Sequence, residues 1–197
     1  MDGEIKLVIR KEKNKMHLEE KQIQLKDGRM CTLRNPRPED ALSAIEYMRI
    51  TAGETDFLVR YPEEVQVTEE KERGFLQWMV DSERDLMLIA EVDGKLVGTS
   101  SFSPAGGKLR NRHRCSMGIA LLQNVWGQGI STMMFELLFE KAKEAGYEQM
   151  ELEVVARNER AVALYEKLGF EKFGIRPRAV KQKDGSYDDY LIMVKYL

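Results

Sequence analysis

Apolar positions in this chain alternate in short runs in some places and recur at helical spacing in others. Asp-Gly pairs mark many of the changeovers. Asp27-Gly28, Asp93-Gly94 and Asp184-Gly185 each sit between two apolar-rich runs. Asp-Gly supplies the positive φ angles of a tight hairpin turn, so each pair predicts two antiparallel strands. The predicted strands are 22–26 with 29–34, 86–92 with 95–103, and 173–182 with 187–196. Between the first two hairpins the period changes. Pro38-Glu39-Asp40 places proline and acids at a helix start, followed by Leu42, Ile45 and Met48 at helical spacing. Thr68-Glu69-Glu70 opens a second helix, with Phe75, Leu76 and Met79 on one face.

The second half continues with a strand over 114–122, then the turn Trp126-Gly127-Gln128-Gly129-Ile130-Ser131. A helical stripe follows through Ile130, Met133, Met134, Leu137, Leu138, Ala142 and Ala145, stopped by Gly146. Met150, Leu152 and Val154 alternate as a strand. Asn158 is placed to cap a short helix carrying Ala161, Val162, Leu164, Tyr165 and Leu168, which Gly169 ends. The order predicts an α/β domain: a mixed, largely antiparallel central sheet of about seven strands flanked by about four helices on both faces.

Residues 1–21 are dominated by interleaved charge and read as an N-terminal extension, solvated or loosely docked, with 22–197 as the single domain. Composition adds exclusions. The chain has 197 residues, 43% hydrophobic and 32% charged, with a net charge of −2. That suits one buried core and gives no global field for nucleic acid or an acidic membrane. No apolar run approaches the roughly 18 residues needed to span a bilayer, and the N-terminus lacks the basic-then-apolar order of a secretory signal. Cys31 and Cys115, far apart in apolar stretches, read as buried thiols rather than a disulfide or a metal pair. A cytoplasmic location is the expectation.

The glycine turn is the first candidate for chemistry. A strand, two glycines and a helix N-terminus aim several backbone N–H groups at one spot, where the helix also contributes partial positive charge. Pyrophosphate is a natural guest. The turn lacks the Gly-Lys-Ser/Thr ending of a triphosphate loop and the fuller GxGxxG of a dinucleotide site. By itself it is equally a structural turn.

The run from Leu152 to Phe170, Leu-Glu-Val-Val-Ala-Arg-Asn-Glu-Arg-Ala-Val-Ala-Leu-Tyr-Glu-Lys-Leu-Gly-Phe, resembles the signature of the GNAT superfamily of acyl-CoA-dependent N-acyltransferases. The preceding strand, turn and helix look like that family's CoA-binding motif at the usual distance. The resemblance implies the GNAT fold and acetyl-CoA as acyl donor, with no metal. It implies that Ile119, Ala120 and Leu121 offer backbone groups to the pantetheine arm. The pyrophosphate cradle falls on Gly127, Gln128, Gly129, Ile130, Ser131 and Thr132, and the asparagine that contacts pantetheine on Asn158. Tyr165 matches the tyrosine that protonates the departing thiolate in many members. Glu153 matches a glutamate used as general base in some. The chain departs from the motif at both ends of the turn, with Trp126 where Gln or Arg is preferred and Ser131 where Gly or Ala is. Trp126 can pack against the strand, and Ser131 can cap the helix.

The implied chemistry is consistent. A tyrosine with pKa of about 10 can protonate a thiolate whose conjugate acid lies at about 8.5. The oxyanion would meet a strand N–H near Ile119. Each residue also has a plain structural role open to it: core filling for Tyr165, capping for Asn158, a solvated carboxylate for Glu153. His113 reads as a strand-start surface residue, and Arg176-Pro177-Arg178 as either an acceptor border or a strand edge. The expected acceptor is a primary amine of a small molecule such as an amino acid, polyamine or toxin. A protein N-terminal amine and a non-catalytic acyl-CoA sensor are the alternatives. Residues 53–66, with Glu54, Asp56, Glu63 and Glu64, and the final hairpin are expected to set acceptor choice. Superfamily members are often dimers, which makes a homodimer an expectation by analogy.

Overall fold

The computed structural model describes residues 15–197, so most of the charged N-terminal extension lies outside the described residues. The described part of that segment is docked. Met16 and Leu18 are buried, the Met16 N–H donates to the Ser82 carbonyl (3.1 Å), and the Leu18 N–H donates to Asn35 Oδ1 (2.7 Å).

Eight strands form one sheet, one more than expected: β1 (Lys21–Gln24), β2 (Met30–Arg34), β3 (Leu86–Val92), β4 (Lys95–Pro104), β5 (Arg114–Leu121), β6 (Gln149–Val155), β7 (Glu171–Lys181) and β8 (Tyr187–Tyr196), in the order β1-β2-β3-β4-β5-β6-β8-β7. Four helices accompany them: α1 (Ala41–Glu54), α2 (Glu69–Asp81), α3 (Ile130–Glu144) and α4 (Glu159–Lys167). The three Asp-Gly hairpins are present, but only Asp93-Gly94 has both residues at positive φ (53° and 72°). At the other two pairs only the glycine does. The Leu25 N–H reaches the Arg29 carbonyl and the Gln182 N–H reaches the Ser186 carbonyl, each hairpin closing a three-residue loop instead. In such a loop the aspartate stays in an ordinary turn conformation and the glycine alone takes the left-handed bulge position.

The side-chain stripes are shifted in two helices. On α1 the buried residues are Ala41, Ala44, Ile45, Tyr47, Thr51 and Ala52, which turns Leu42 outward. On α2, Glu72, Leu76 and Met79 face inward and Phe75 is half exposed. Stripes of this kind follow 3.6 residues per turn, and one misplaced member does not break the period. Thr68 caps α2 through its hydroxyl, which accepts from the Lys71 N–H (3.4 Å).

The core lies where α3 covers one face of the sheet. Leu86, Leu88, Phe102, Cys115 and Met150 meet Ile130, Met134, Phe135, Leu137, Leu138 and Ala142. Both cysteines are fully buried free thiols, and burial raises their pKa values to about 11 for Cys31 and about 12 for Cys115. Phe135, missing from the expected stripe, is the centre of an aromatic cluster. Its ring lies 5.7 Å from Phe139, 5.6 Å from Tyr165 and 6.0 Å from Phe170, the last two edge-on. On the opposite face, α1 and α2 pack against β4 and β3. There Tyr47 enters the β4–β5 ladder. Its hydroxyl donates to the Ala120 carbonyl (2.6 Å) and accepts from the Thr99 N–H (3.2 Å), standing between two cross-strand partners. Burial pushes this phenol up to about 12.

One junction in the sheet is parallel. β5 and β6 are registered only over Arg114↔Gln149, Cys115↔Met150 and Ser116↔Glu151. Beyond that, β5 stays with β4 as far as Gly98↔Leu121, and β6 stays with β8 as far as Val155↔Tyr190. The two strands part, and the gap between them opens towards the N-terminus of α3.

Phe135→Ala removes the ring that supports Tyr165 and Phe170 and leaves a buried void. Urea unfolding of this variant is expected to show a loss of about 3–5 kcal/mol.

Candidate active site

The gap between β5 and β6 is the mouth of a cleft of about 760 Å³. Ladder alternation decides which backbone groups face it. Ala120 and Leu122 direct theirs to β4, the first through the Tyr47 hydroxyl and the second in a bond from its N–H to the Val97 carbonyl (2.8 Å). Ile119 and Leu121 therefore direct theirs towards β6, beyond the point where β6 pairs with β5. Trp126 Nε1 donates to the Leu121 carbonyl (2.8 Å), so that group is already engaged and Trp126 packs on its strand. The Ile119 N–H and carbonyl face the gap.

The turn beyond β5 is built by its glycines. Gly127 and Gly129 adopt φ of 77° and 94°, a region that other residues enter at a cost. Gly129 is the N-cap of α3, so Ser131 lies inside the first helical turn and does not cap it. The helical bonds begin with the Met133 N–H donating to the Gly129 carbonyl (3.3 Å). The N–H groups of Ile130, Ser131 and Thr132 are left open at the positive end of a four-turn helix, an arrangement that receives anions. All three residues, with Gly127 and Gly129, line the cleft. Gln128 does not. Its Oε1 accepts from the Asp27 N–H (3.2 Å), tying the turn to the β1–β2 hairpin.

Two cations near the turn carried no signal in the sequence. Arg160, two residues after Asn158, reaches back from α4 to lie over the Trp126 ring (4.7 Å) and lines the cleft beside Gly127. Lys26, in the β1–β2 turn, lines the same cleft. Helical geometry places residue 160 over the turn once Asn158 starts α4. The pairing with Trp126 is a tertiary event.

Asn158 Oδ1 accepts from the Ala161 N–H (3.2 Å) and caps α4 while its side chain lines the cleft, so capping and cleft exposure coexist. The Tyr165 ring is held in the aromatic cluster, and its residue lines the cleft. Among the described residues nothing hydrogen-bonds to its hydroxyl, and burial alone pushes the phenol up to about 12. Glu153 lies across the gap on the β8-facing strand. Arg176 NH1 donates to its Oε2 (2.8 Å) and Arg176 NH2 stands 2.7 Å from its Oε1, a two-pronged ion pair. Arg176 thus borders the site. Arg178 instead lies over the Tyr187 ring (4.0 Å), with its backbone N–H donating to Asp189 Oδ1 (2.7 Å).

The far wall of the cleft comes from residues 51–59 and Tyr190. Glu54 lies in this wall, and its Oε2 accepts from the Gln123 N–H (2.8 Å). The segment 53–66 and the β7–β8 hairpin meet. Tyr61 donates to Gln182 Oε1 (3.4 Å), Lys183 pairs with Glu63 and stacks over the Tyr61 ring (4.2 Å), and Arg157 stacks over Phe57 (4.9 Å). Glu64 faces away, its Oε2 accepting from the Tyr61 N–H (2.8 Å). His113 lies beside Arg84 and Arg112 in a separate surface hollow and takes no part in the cleft. No described helix is long and apolar enough to cross a membrane.

This arrangement can hold a phosphorylated, thin acyl carrier: anion at the turn, amide-bearing arm along the unpaired strand edge, thioester near Tyr165. Comparisons with known proteins give the family. The model of the acetyltransferase (GNAT) family matches residues 51–170. The chain is 32% identical over 165 residues to an N-alpha-acetyltransferase of Saccharolobus solfataricus, covering 82% of this chain and 89% of that one. An acetyltransferase of the GNAT family from Streptococcus pneumoniae superposes with a TM-score of 0.80 at 27% identity, over 85% of this chain and 99% of that one. The fold is also that of a Salmonella typhimurium protein whose structure holds acetyl-CoA (TM-score 0.74, 17% identity, 85% and 94% covered). The chain belongs to the GNAT family and is an acetyl-CoA-dependent acetyltransferase.

Proposed function

We propose that the acceptor is a primary amine on a small, slender molecule, acetylated by direct attack in a ternary complex. The observation that carries the chemistry is Tyr165, a residue that lines the cleft and whose hydroxyl has no hydrogen-bond partner among the described residues. Acetyl-CoA would lie with its pyrophosphate on the N–H groups of Gly127, Gly129, Ile130, Ser131 and Thr132, while the Gln128 side chain holds the turn to the β1–β2 hairpin. Its pantetheine would run beside Ile119, Ala120, Leu121 and Asn158. The neutral amine attacks the thioester carbonyl, and the Ile119 N–H would meet the developing oxyanion. Collapse breaks the C–S bond. The thiolate takes the Tyr165 proton, and the nitrogen gives up its own. Glu153, held by Arg176, would take that proton through a water.

The contacts between segment 53–66 and the β7–β8 hairpin favour a narrow acceptor. A second reading, a protein N-terminal α-amine, is supported by the similarity to the Saccharolobus N-alpha-acetyltransferase. A thiol-release assay with acetyl-CoA, a panel of small amines and peptides with free N-termini tests the choice. The small-acceptor reading expects the small amines to have the higher kcat/KM, and a peptide preference would overturn it.

Tyr165→Phe is expected to bind CoA as the parent does while kcat falls about 10²-fold or more, the scale of a lost general acid. Unchanged kcat would remove Tyr165 from that role. Arg160→Ala removes a guanidinium poised over the turn. Loss of one charge-assisted contact of about 1.5–3 kcal/mol should raise KM for acetyl-CoA about tenfold or more at nearly constant kcat. The pH profile follows from the raised phenol. Tyr165 stays protonated until about pH 12, so kcat/KM should climb as the amine loses its proton, with no descending limb at pH 8–10. A fall in that range would contradict Tyr165 as the acid.

A further inference from the structure

A second cavity, of about 370 Å³, lies between α1, α2 and the sheet. Its wall includes Tyr47, Met48, Arg60, Glu72, Phe75 and Met87. It adjoins the acetyl-transfer cleft, since Thr99 lines both.

Glu72 is the unusual group. It is 7% exposed, and among the described residues its carboxylate makes no hydrogen bond and no ion pair. Burial raises its pKa, opposed only by the charge of Arg60, which approaches without pairing. Arg60 directs NH1 to the Met48 sulfur (3.1 Å) instead. A buried carboxylate without a partner is costly, and such groups are ordinarily paired or hydrogen-bonded. Glu72 also sits in the first turns of α2, whose positive end eases the carboxylate but donates no bond to it. The rest of the wall is suited to one kind of guest. Met48, Val65, Val67, Phe75 and Met87 offer apolar surface, including an aromatic ring, around Glu72; of the other charged groups on the wall, Arg60 turns to the Met48 sulfur and Glu64 accepts from the Tyr61 N–H. A cation on a short hydrocarbon chain satisfies both parts, and the volume is that of a small-molecule site.

We propose that this cavity is an acceptor subsite in which Glu72 binds a second positive charge of the substrate, making the acceptor class a short aliphatic diamine or polyamine. One ammonium would sit on Glu72 while the other, as the free amine, passes Thr99 to the thioester. This rests on the small-amine reading above and narrows it.

Calorimetric titration of the full chain, loaded with CoA, compares cadaverine, pentylamine and aminopentanol, which differ only in the group offered to Glu72. Cadaverine is expected to bind about tenfold or more tightly than either of the others, and Glu72→Gln to abolish that preference. Acetyl-CoA affinity should be unchanged in the variant. The three-ligand comparison on the unmodified protein decides the matter even if the variant fails to fold. Equal binding of the three ligands, or a preference that survives Glu72→Gln, would overturn the proposal. Thiol release separates the two levels. Release from pentylamine and cadaverine alike, with no Glu72 dependence, would overturn this subsite and leave the small-amine reading standing. Glu72-dependent binding with no release from any amine would overturn the acceptor assignment and that reading with it.

Discussion

Everything functional in this protein depends on two neighbouring strands parting company. β5 and β6 share only three residue pairs before each is claimed by its other neighbour, β5 by β4 and β6 by β8. A sheet that loses a hydrogen-bonded edge in its interior exposes backbone groups that must find other partners. Here the exposed edge runs past Ile119 and ends at a helix N-terminus, two surfaces that share a preference for a polar, elongated, anionic guest. In the proposed reading the donor would be recognised largely by main chain. Side chains fix the main chain in place: Trp126 ties the turn to Leu121, Gln128 ties it to the first hairpin, and Tyr47 stands in the ladder on the far side of β5.

The same gap sets the electrostatics of transfer. At the turn, the helix N-terminus and Arg160 supply positive charge where phosphate would lie. Deeper in, polarity falls. Tyr165 stands on a wall of Phe135 and Phe170, and removing water from the phenol is what holds its proton. In the proposed reading that phenol still carries its proton when the thiolate forms. Glu153 is in a different setting, on the open side and ion-paired with Arg176. The two groups differ because the aromatic cluster covers one side of the gap and the β7–β8 hairpin only borders the other.

Much of this was legible in the sequence, for local reasons. Strand and helix limits follow from periodicity, Asp-Gly punctuation and caps such as Thr68 and Asn158, all settled within a few residues. The turn and Tyr165 could be placed because their spacing is maintained by one strand and one short helix. Long-range matters were not legible. Lys26 reaches the cleft from a hairpin 100 residues away, and Arg160 finds Trp126 only after α4 packs. Leu42 and Phe75 obeyed helical spacing, yet Leu42 faces outward and Phe75 is half exposed, since a stripe's edge is decided by what packs against it. Glu72 read as one more acid in a charged first turn. Its burial appears only when α1, α2 and the sheet are assembled.

The central claim is that the unpaired edge of β5 and the first turn of α3 form the donor site. Amide hydrogen exchange with and without acetyl-CoA tests it directly, since those N–H groups lack protein partners until the ligand supplies them. The account predicts marked slowing at Ile119 and at Gly129, Ile130, Ser131 and Thr132, with little change across β1–β3. Unchanged exchange at these amides under saturating acetyl-CoA, or slowing concentrated elsewhere, would contradict it.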